Sequence, residues 1–346
     1  MNLNIPLLQE LCMAPGAPGS EMAVRHIVLR ELEGQVDEVR TDHMGNVIAL
    51  RRGREARRVM AAAHMDEIAF MVTHIDKDGF ARFHPLGGFD PKTLTAQRVI
   101  VHGRQDLIGV MGTRPIHLMS ADDRNKPAKL SDYYIDFGMP GDRVREIVRV
   151  GDRVTRERDM ILLGDCVSTK SLDNRVSVFI LLEALRQMGP VPYDFYACFT
   201  VQEEVGLRGA TTATRQINPE FGFGLDTTIA NDLPGAAEHE KITSLGAGAA
   251  IKILDGSVIS DVRMVRYLEE VAQRQGIAWQ SEILTAGGTD TGAIQRSGDG
   301  AIAGCISVPT RHIHSVVEMC HLGDIRACID LLTHAVISLD QFSHSW

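Results

Sequence analysis

The sequence has few aromatic residues, fewer positive than negative charges, and no long apolar run. Aromatic side chains make up 5% of its 346 residues, and 36 Lys and Arg stand against 45 Asp and Glu, which gives a net charge of −9. An acidic chain of this kind argues against nucleic acid or an anionic membrane as a partner. Its apolar stretches, such as residues 176–182, are far shorter than the roughly 20 residues of a membrane-spanning helix. We therefore expect neither a nucleic-acid partner nor a membrane segment.

Paired cysteines are also missing. The six cysteines show no C-x-x-C spacing, which disfavours both a thiolate metal site and a disulfide framework. The first residues lack the basic stretch and apolar core of a secretory leader. Both observations favour a cytoplasmic location, where scattered cysteines act as small buried apolar residues. The cysteines are Cys12, Cys166, Cys198, Cys305, Cys320 and Cys328.

Helical and strand-like patterns alternate near both ends of the chain. Two helical patterns between residues 4 and 32 are separated by the Gly- and Pro-rich segment APGAPGS. Alternation on both sides of Met44-Gly45-Asn46 predicts a β-hairpin, and a buried strand follows it. After Asp165 a helical pattern returns, followed by two apolar strands. These patterns predict a layered α/β domain, and the length leaves room for a second, smaller domain.

The middle of the chain has a different pattern. From about Phe70 to Thr155, short strand-like runs alternate with Gly, Pro or Asp at the spacing typical of a small all-β barrel or sandwich. The simplest architecture is an α/β domain formed by residues 1–67 and 160–346, interrupted by an inserted β domain at residues 68–159. Five arginines between residues 51 and 58 flank Gly53 without aromatic neighbours, so we interpret them as a solvated turn rather than a phosphate-binding patch.

Five segments place metal-type ligands where buried strands end or helices begin, which is where α/β sheets build their sites. In AAHMDE, His64 and Asp66 share a face if the strand continues, so Asp66 can accept the N–H of the imidazole nitrogen that does not bind a metal. In KSLDNR, Asp173 stands at the start of an apolar helix. A structural histidine and a helix N-cap are the alternative interpretations of these two segments.

Glu203 and Glu204 form a stronger signal, because two adjacent carboxylates after a buried strand are costly unless a cation or a proton compensates them. If the strand ends there, as Gly206 suggests, one glutamate can bind a metal while the other stays free. A free carboxylate can take a proton from the attacking water and return it to a leaving amine. A solvated strand end is the alternative interpretation.

Asp226, after another apolar strand, and His314, in the segment RHIHS, complete the set. Together the five segments supply two histidines, three acidic ligands and a spare glutamate, which is close to the inventory of a two-metal hydrolytic site. Nitrogen and oxygen ligands without thiolate suit Zn²⁺, Co²⁺ or Mn²⁺.

These segments, in this order, resemble the tetrahedral aminopeptidases of metallopeptidase family 42, the glutamyl and deblocking aminopeptidase group. The resemblance extends nearly from end to end, through APGAPGSE, HMGNVIAL, RPIHLMSADDR, DYYIDFG, VQEEVGLRGA, GLDTTIANDLPG and GGTDTGA. It implies a metallo-aminopeptidase that removes N-terminal residues from short peptides with two divalent metal ions per subunit. Zinc or cobalt is the first expectation for those ions, with manganese as the alternative.

The resemblance also implies a role for each candidate residue. Asp173 would bridge the two metal ions, Glu203 would be the general base, and Asp66 would hold the imidazole of His64. One metal site would be completed by His64 and Asp226, and the other by Glu204 and His314.

The fold implied by the resemblance is a three-layer α/β catalytic domain of the zinc-exopeptidase type. An inserted, PDZ-like β-barrel would serve dimerisation, and twelve subunits of such proteins commonly form a hollow tetrahedron. The peptide bond between Asp173 and Asn174 would be cis. This architecture agrees with the interrupted α/β pattern that the sequence itself predicts.

Three positions depart from the family pattern. Asn174 stands where a second Asp is usual, Ala69 where Gly is common, and His312 where an aromatic residue usually stands two before the ligand histidine. None of them removes a ligand, and His312 is either a titratable group near the metals or a packed ring. In the loop GGTDTG, Thr289 and Asp290 are the candidates for substrate contact.

Two other functions are alternatives at this stage. A glycoside hydrolase would place two carboxylates across a cleft usually lined with aromatic rings, without a metal, and the low aromatic content argues against it. A catalytically silent assembly or peptide-binding scaffold would be signalled by loss of Glu203 or of a ligand, and all of these residues are present.

Overall fold

The computed structural model describes residues 3–343 and 345. Its α-helices are α1 (Ile5–Met13), α2 (Met22–Glu31), α3 (Ala121–Arg124), α4 (Gly141–Ile147), α5 (Leu172–Gln187), α6 (Arg208–Ile217), α7 (Val262–Gln275), α8 (Asp290–Gln295) and α9 (Leu322–Ile337). Its strands are β1 (Glu38–Thr41), β2 (Val47–Arg51), β3 (Glu55–His64), β4 (Ala69–Ile75), β5 (Ala81–Leu86), β6 (Arg98–His102), β7 (Asp106–Gly112), β8 (Tyr134–Asp136), β9 (Arg153–Arg156), β10 (Ile161–Leu163), β11 (Cys166–Thr169), β12 (Tyr193–Thr200), β13 (Phe221–Ile229), β14 (Ala249–Leu254), β15 (Trp279–Ile283), β16 (Ile302–Arg311) and β17 (Glu318–His321).

The larger part of the chain is built on one mixed sheet of eleven strands. Its main path runs β1-β2-β12-β3-β13-β16-β17-β11-β10, and β14 joins it beside β16 with β15 beyond. The central neighbours β12, β3, β13 and β16 are parallel. Since the carboxyl ends of parallel strands meet at one edge, the residues that follow these strands come together there.

Helices cover both faces of the sheet, as the alternation along β3 shows. Ala61 and Ala63 belong to the large apolar core that includes α5 and α9, whereas Met60 and Ala62 belong to a second core with α6 and α8. A strand buried on both faces is expected to read as a continuous apolar run, and this explains VMAAA in the sequence. The predicted layered α/β fold is confirmed.

The middle of the chain forms a closed barrel in the order β4-β5-β8-β7-β6-β9. The barrel has its own apolar core, which confirms the predicted small β-barrel. One part of the prediction is wrong, because α4 occupies a stretch that we expected to be strand-like. Val144 and Val148 both face the barrel core, and their spacing of four residues is helical. The domain boundaries at 67/68 and 159/160 remain a prediction.

The local predictions near the start of the chain are confirmed. The segment APGAPGS separates α1 from α2, and β1 pairs antiparallel with β2 around the predicted turn. The turn is closed by Asp42, whose Oδ1 accepts the backbone N–H of Met44, Gly45 and Asn46 at 2.9–3.0 Å. Gly45 has a φ of 101°, which a residue with a side chain rarely adopts.

Arginines of the cluster around Gly53 form hydrogen bonds and ion pairs with other parts of the chain. Arg51 donates to the carbonyl oxygens of Gln35 and Met188, and Arg57 pairs with Glu220. Arg51 lies at the end of β2 and Arg57 in β3, so the cluster includes strand residues on both sides of the turn. Separately, among residues 3–343 and 345, we find no helix that combines the length and the apolar character needed to cross a bilayer.

Gly224 of β13 allows α8 to approach the sheet closely. A Cβ placed there would lie 1.8 Å from Thr291 Oγ1 and 3.0 Å from Thr291 Cβ, so α8 would have to shift. We expect Gly224→Ala to lower the free energy of unfolding by about 1–3 kcal/mol. Urea unfolding measures the change. The matched control is Gly189→Ala, where an added Cβ meets nothing within 4 Å; equal effects at the two glycines would contradict the prediction.

Candidate functional site

The predicted ligands converge at the carboxyl edge of the parallel strands. His64 is the last residue of β3, the two glutamates follow β12, and His314 follows β16. Asp173 reaches the same place from the first turn of α5. The residues brought together are His64, Asp173, Glu203, Glu204, Asp226 and His314.

The side chains form two groups whose ligand atoms lie within 4.8 Å of one another, one containing His64, Glu203 and Asp226, and the other Asp173, Glu204 and His314. The carboxylate of Asp173 stands between the two imidazoles. Its Oδ1 is 3.5 Å from Nε2 of His64, and its Oδ2 is 3.2 Å from Nε2 of His314. A carboxylate with one oxygen toward each histidine has the geometry of a bridging ligand.

Two details differ from the sequence prediction. Asp226 does not end its strand, because β13 stays paired with β16 as far as Ile229. The N-cap of α5 is Ser171, and Asp173 has non-helical backbone angles inside the first turn. The peptide bond between Asp173 and Asn174 is cis, as predicted. The side-chain amide of Asn174 donates to the carbonyl oxygen of Leu225 at 2.9 Å.

Burial and mutual repulsion govern the charges of this site. Burial, with Asp226 and Glu204 nearby, raises the pKa of Glu203 well above its usual range, and burial beside Asp173 raises the pKa of Glu204 to about 8. Burial alone would lower the pKa of both histidines. The carboxylates around them reverse this, so that the pKa of His64 lies well above its usual value and the pKa of His314 is about 9. The site therefore favours added positive charge.

Two carboxylate oxygens of the site are buried without a hydrogen-bond donor, although each has an imidazole nitrogen at 3.5–3.6 Å. Asp173 Oδ1 and Glu204 Oε1 accept no hydrogen bond from any residue in the described part of the chain. Buried acceptors are normally satisfied, and a clustered set of carboxylates and imidazoles is the donor set of a divalent cation. The residues present therefore fit the metal ions that the sequence predicts.

A cavity of about 440 Å³ opens beside the two groups, which form part of its wall. Thr289 lines this cavity, but its hydroxyl donates to Asp255 Oδ2 at 3.0 Å. Asp290 is buried at the start of α8, where it accepts a hydrogen bond from Thr200 at 2.5 Å, and it does not line the cavity. His312 is exposed on the loop before Ile313, so the structure does not bring it into the ligand groups. Substrate contact by Thr289 or Asp290 remains a prediction.

Asp66 contacts the imidazole of His64 and the backbone of both glutamates. Nδ1 of His64 lies 3.2 Å from the carbonyl oxygen of Asp66 and 3.4 Å from its Oδ1. The two carboxylate oxygens of Asp66 accept the backbone N–H of Glu203 at 3.0 Å and of Glu204 at 3.1 Å. Asp66 thus fixes the segment that carries both glutamates as well as the imidazole of His64.

Glu318 is a residue that the sequence analysis missed. Its Oε2 accepts the backbone N–H of Asp173 at 3.0 Å, and its Oε1 accepts that of His314 at 2.8 Å. Beside it, the buried guanidinium of Arg156, at the end of the barrel strand β9, donates to the carbonyl oxygen of His314 at 3.0 Å. The available signal was an acidic residue four positions after His314, the predicted ligand, at the start of a strand.

Glu67 holds the elements behind the site together. Its carboxylate accepts from Lys170 Nζ at 2.8 Å and Ser171 Oγ at 2.5 Å, and it pairs with Arg175 at 3.3 Å. Burial would raise the pKa of Glu67, but Lys170 and Arg175 lower it to about 2. The end of β3 is thereby tied to the start of α5.

Comparison with known proteins places these observations in a family. The model of the M42 glutamyl aminopeptidase family matches residues 45–331. The lysyl aminopeptidase of Pyrococcus furiosus is 34% identical over 340 residues, which cover 94% of each chain. A TET aminopeptidase from a marine sediment archaeon (Thaumarchaeota) superposes with a TM-score of 0.95 at 32% identity and covers 98% of both chains. The TET1 peptidase of Pyrococcus horikoshii, which can assemble into a tetrahedron or a large octahedral shell, superposes with a TM-score of 0.87 at 31% identity, covering 96% of this chain and 99% of its own.

Proposed function

Because the chain belongs to the M42 glutamyl aminopeptidase family, we propose that it removes N-terminal residues from short peptides with two divalent cations per subunit. It is a peptidase that acts at N-termini, and its family uses divalent metal ions. The observation that carries the proposal is the meeting of both ligand groups at the carboxylate of Asp173, in the wall of one cavity.

The two cations would share Asp173 as a bridging ligand. His64 and Asp226 would complete one site, and Glu204 and His314 the other. Since these ligands offer nitrogen and oxygen but no thiolate, zinc or cobalt fits best, with manganese as the alternative. Bound cations would supply Lewis acidity to a substrate carbonyl and to water.

The protein's own part in the reaction falls to Glu203. Its carboxylate lines the cavity, and no residue of the described chain donates a hydrogen bond to it; its nearest basic neighbour is His64, at 3.8 Å. Glu203 would take the proton of the attacking water and pass it to the leaving amine. Asp66 would keep Glu203 in place through the backbone contact at 3.0 Å.

The mixture of imidazoles and carboxylates in the site also disfavours a glycosidase, whose two carboxylates act across a sugar without a metal.

The remaining proposals concern assembly, domains and location. We assign residues 68–159 to an inserted domain for dimerisation, since the barrel region exposes Ile108, Val110, Ile116 and Leu118, and we assign residues 1–67 and 160–346 to the catalytic domain. A tetrahedral dodecamer is the proposed final assembly, by analogy with the shell-forming relative. All six cysteines are free thiols, five of them buried, which suits a cytoplasmic location.

The proposal is tested by hydrolysis of aminoacyl-nitroanilides and unblocked peptides before and after chelation. We expect chelated protein to lose activity and to regain it with Zn²⁺, Co²⁺ or Mn²⁺. The added cation would again compensate the clustered carboxylates of the two ligand groups. Release of single N-terminal residues is followed by mass spectrometry. Head-to-tail cyclic peptides, which have no N-terminus, are the matched control and should stay intact.

Two outcomes would contradict the proposal. Activity that survives complete removal of metal would remove the role of the ligand groups. Folded protein that stays inactive with every metal would favour the silent assembly or peptide-binding scaffold, and circular dichroism distinguishes this case from misfolding.

A further inference from the structure

Beyond the ligand groups, the cavity has walls that are mainly apolar. Leu207, Ile229, Leu284 and Ile313 line it next to the groups that would hold the metals. If the substrate amine and the scissile carbonyl lie at the ligand groups, the side chain of the N-terminal residue has this apolar space to enter. An apolar pocket favours burial of an aliphatic side chain.

One basic side chain interrupts the apolar wall. Lys252, from β14, lines the cavity although it is only 1% exposed, and no other Lys or Arg of the described residues does so. Its Nζ donates to the carboxylate of Glu282 and lies 3.6 Å from Asp255 Oδ2. Burial alone would lower the pKa of Lys252, but the carboxylate of Glu282 raises it above its usual range, so the ammonium stays charged.

The charge of Lys252 is balanced from behind the wall. Glu282 is fully buried and Asp255 is 5% exposed, and neither lines the cavity. Glu282 is also fixed by the hydroxyl of Thr228, which donates to its Oε1 at 2.6 Å. The cavity wall therefore carries the ammonium of Lys252, whose charge is already compensated by the carboxylates of Glu282 and Asp255.

This arrangement disfavours charged side chains of either sign. A substrate carboxylate that reaches Lys252 would also be repelled by Glu282 and Asp255, and in a buried cluster this repulsion is only weakly screened. A substrate ammonium would meet the ammonium of Lys252 first. An uncharged aliphatic side chain meets neither penalty and gains contact with the apolar walls.

We propose that this cavity selects uncharged aliphatic N-terminal residues, and that the Lys252–Glu282 pair is the specificity element that excludes charged ones. The inference rests on the aminopeptidase function proposed above. Its residues lie outside the ligand groups, so they determine which N-terminal residue enters rather than how the bond is broken.

The test measures kcat/KM of the holoenzyme for leucyl, glutamyl and lysyl nitroanilides. Glu282→Gln keeps the shape and leaves Lys252 less compensated, so the ratio of glutamyl to leucyl hydrolysis should rise about tenfold or more. Lys252→Met leaves Glu282 and Asp255 without their cation, so the ratio of lysyl to leucyl hydrolysis should rise by a similar factor. Opposite shifts from the two variants are the signature of a charge-balanced pocket.

The matched controls are Glu238→Gln and Lys241→Met, which break an exposed ion pair at 2.7 Å. They should leave all three ratios unchanged. Inhibition of the wild-type protein by free leucine, glutamate and lysine gives a second measurement that does not depend on the variants folding. Leucine should inhibit best.

A wild-type preference for glutamyl or lysyl substrates would overturn the proposal. Ratios that stay within about twofold in both variants, or that move in the same direction, would also overturn it. Failure of the aminopeptidase function itself is a different result, because the wild-type protein would then release no residue of any kind.

Discussion

Replacement of Glu203 by glutamine is expected to lower kcat by about 10²–10⁴-fold while the protein stays folded. Glutamine keeps the shape of the side chain and the backbone contact to Asp66, but it cannot take a proton from the attacking water. Steady-state hydrolysis of a leucyl nitroanilide measures the loss. Glu33→Gln, at an exposed position, is the matched control and should behave as the wild type.

Metal content distinguishes the proposed base from an additional ligand. Oε2 of Glu203 lies 3.8 Å from Nε2 of His64, and Glu203 belongs to the same group of potential ligands as Asp226. If Glu203 acts as the base, the Gln variant keeps two metal ions per subunit. If the variant loses one ion, Glu203 is a ligand, and the general base must be sought elsewhere. Full activity of the variant would contradict both roles.

Much of the candidate site could be predicted from the sequence because its residues follow strands that the sequence marks clearly. One apolar run ends directly before His64, and another ends shortly before Glu203. Since parallel strands align their carboxyl ends, recognising these strands is enough to bring the residues to one edge. Asp226 was identified for the same reason, although β13 continues three residues beyond it.

The residues that hold the predicted ligands in place could not be identified in this way. Arg156 reaches the site from the barrel, and its contact with His314 depends on how the barrel lies against the sheet. The pairing of Lys252 with Glu282 depends on the parallel register of β14 and β15, where these two residues stand opposite each other. Neither element carries a local pattern that marks a site, because the contacts arise only when distant segments pack.

The role of Glu318 also depends on contacts between distant segments, so it could not be predicted from the sequence. Its replacement is expected to have a large effect on metal binding. Its two carboxylate oxygens accept the backbone N–H of Asp173 and of His314, the two residues that would share one metal ion. Glutamine offers only one oxygen, so its amide group would face one of these N–H donors without an acceptor. We expect Glu318→Gln to weaken metal affinity about 10–100-fold.

Metal titration of the chelated protein, followed by calorimetry, measures this loss directly. Activity of Glu318→Gln should recover at high metal concentration, because the variant keeps every proposed ligand. Glu282→Gln is the matched control, since it also replaces a buried carboxylate but one that accepts from Lys252 and Thr228 rather than from ligand backbone. Its metal affinity should equal that of the wild type while its substrate preference changes. Equal metal affinity in both variants would contradict this prediction. It would show that the hydrogen bonds from Asp173 and His314 to Glu318 do not position these two residues for metal binding.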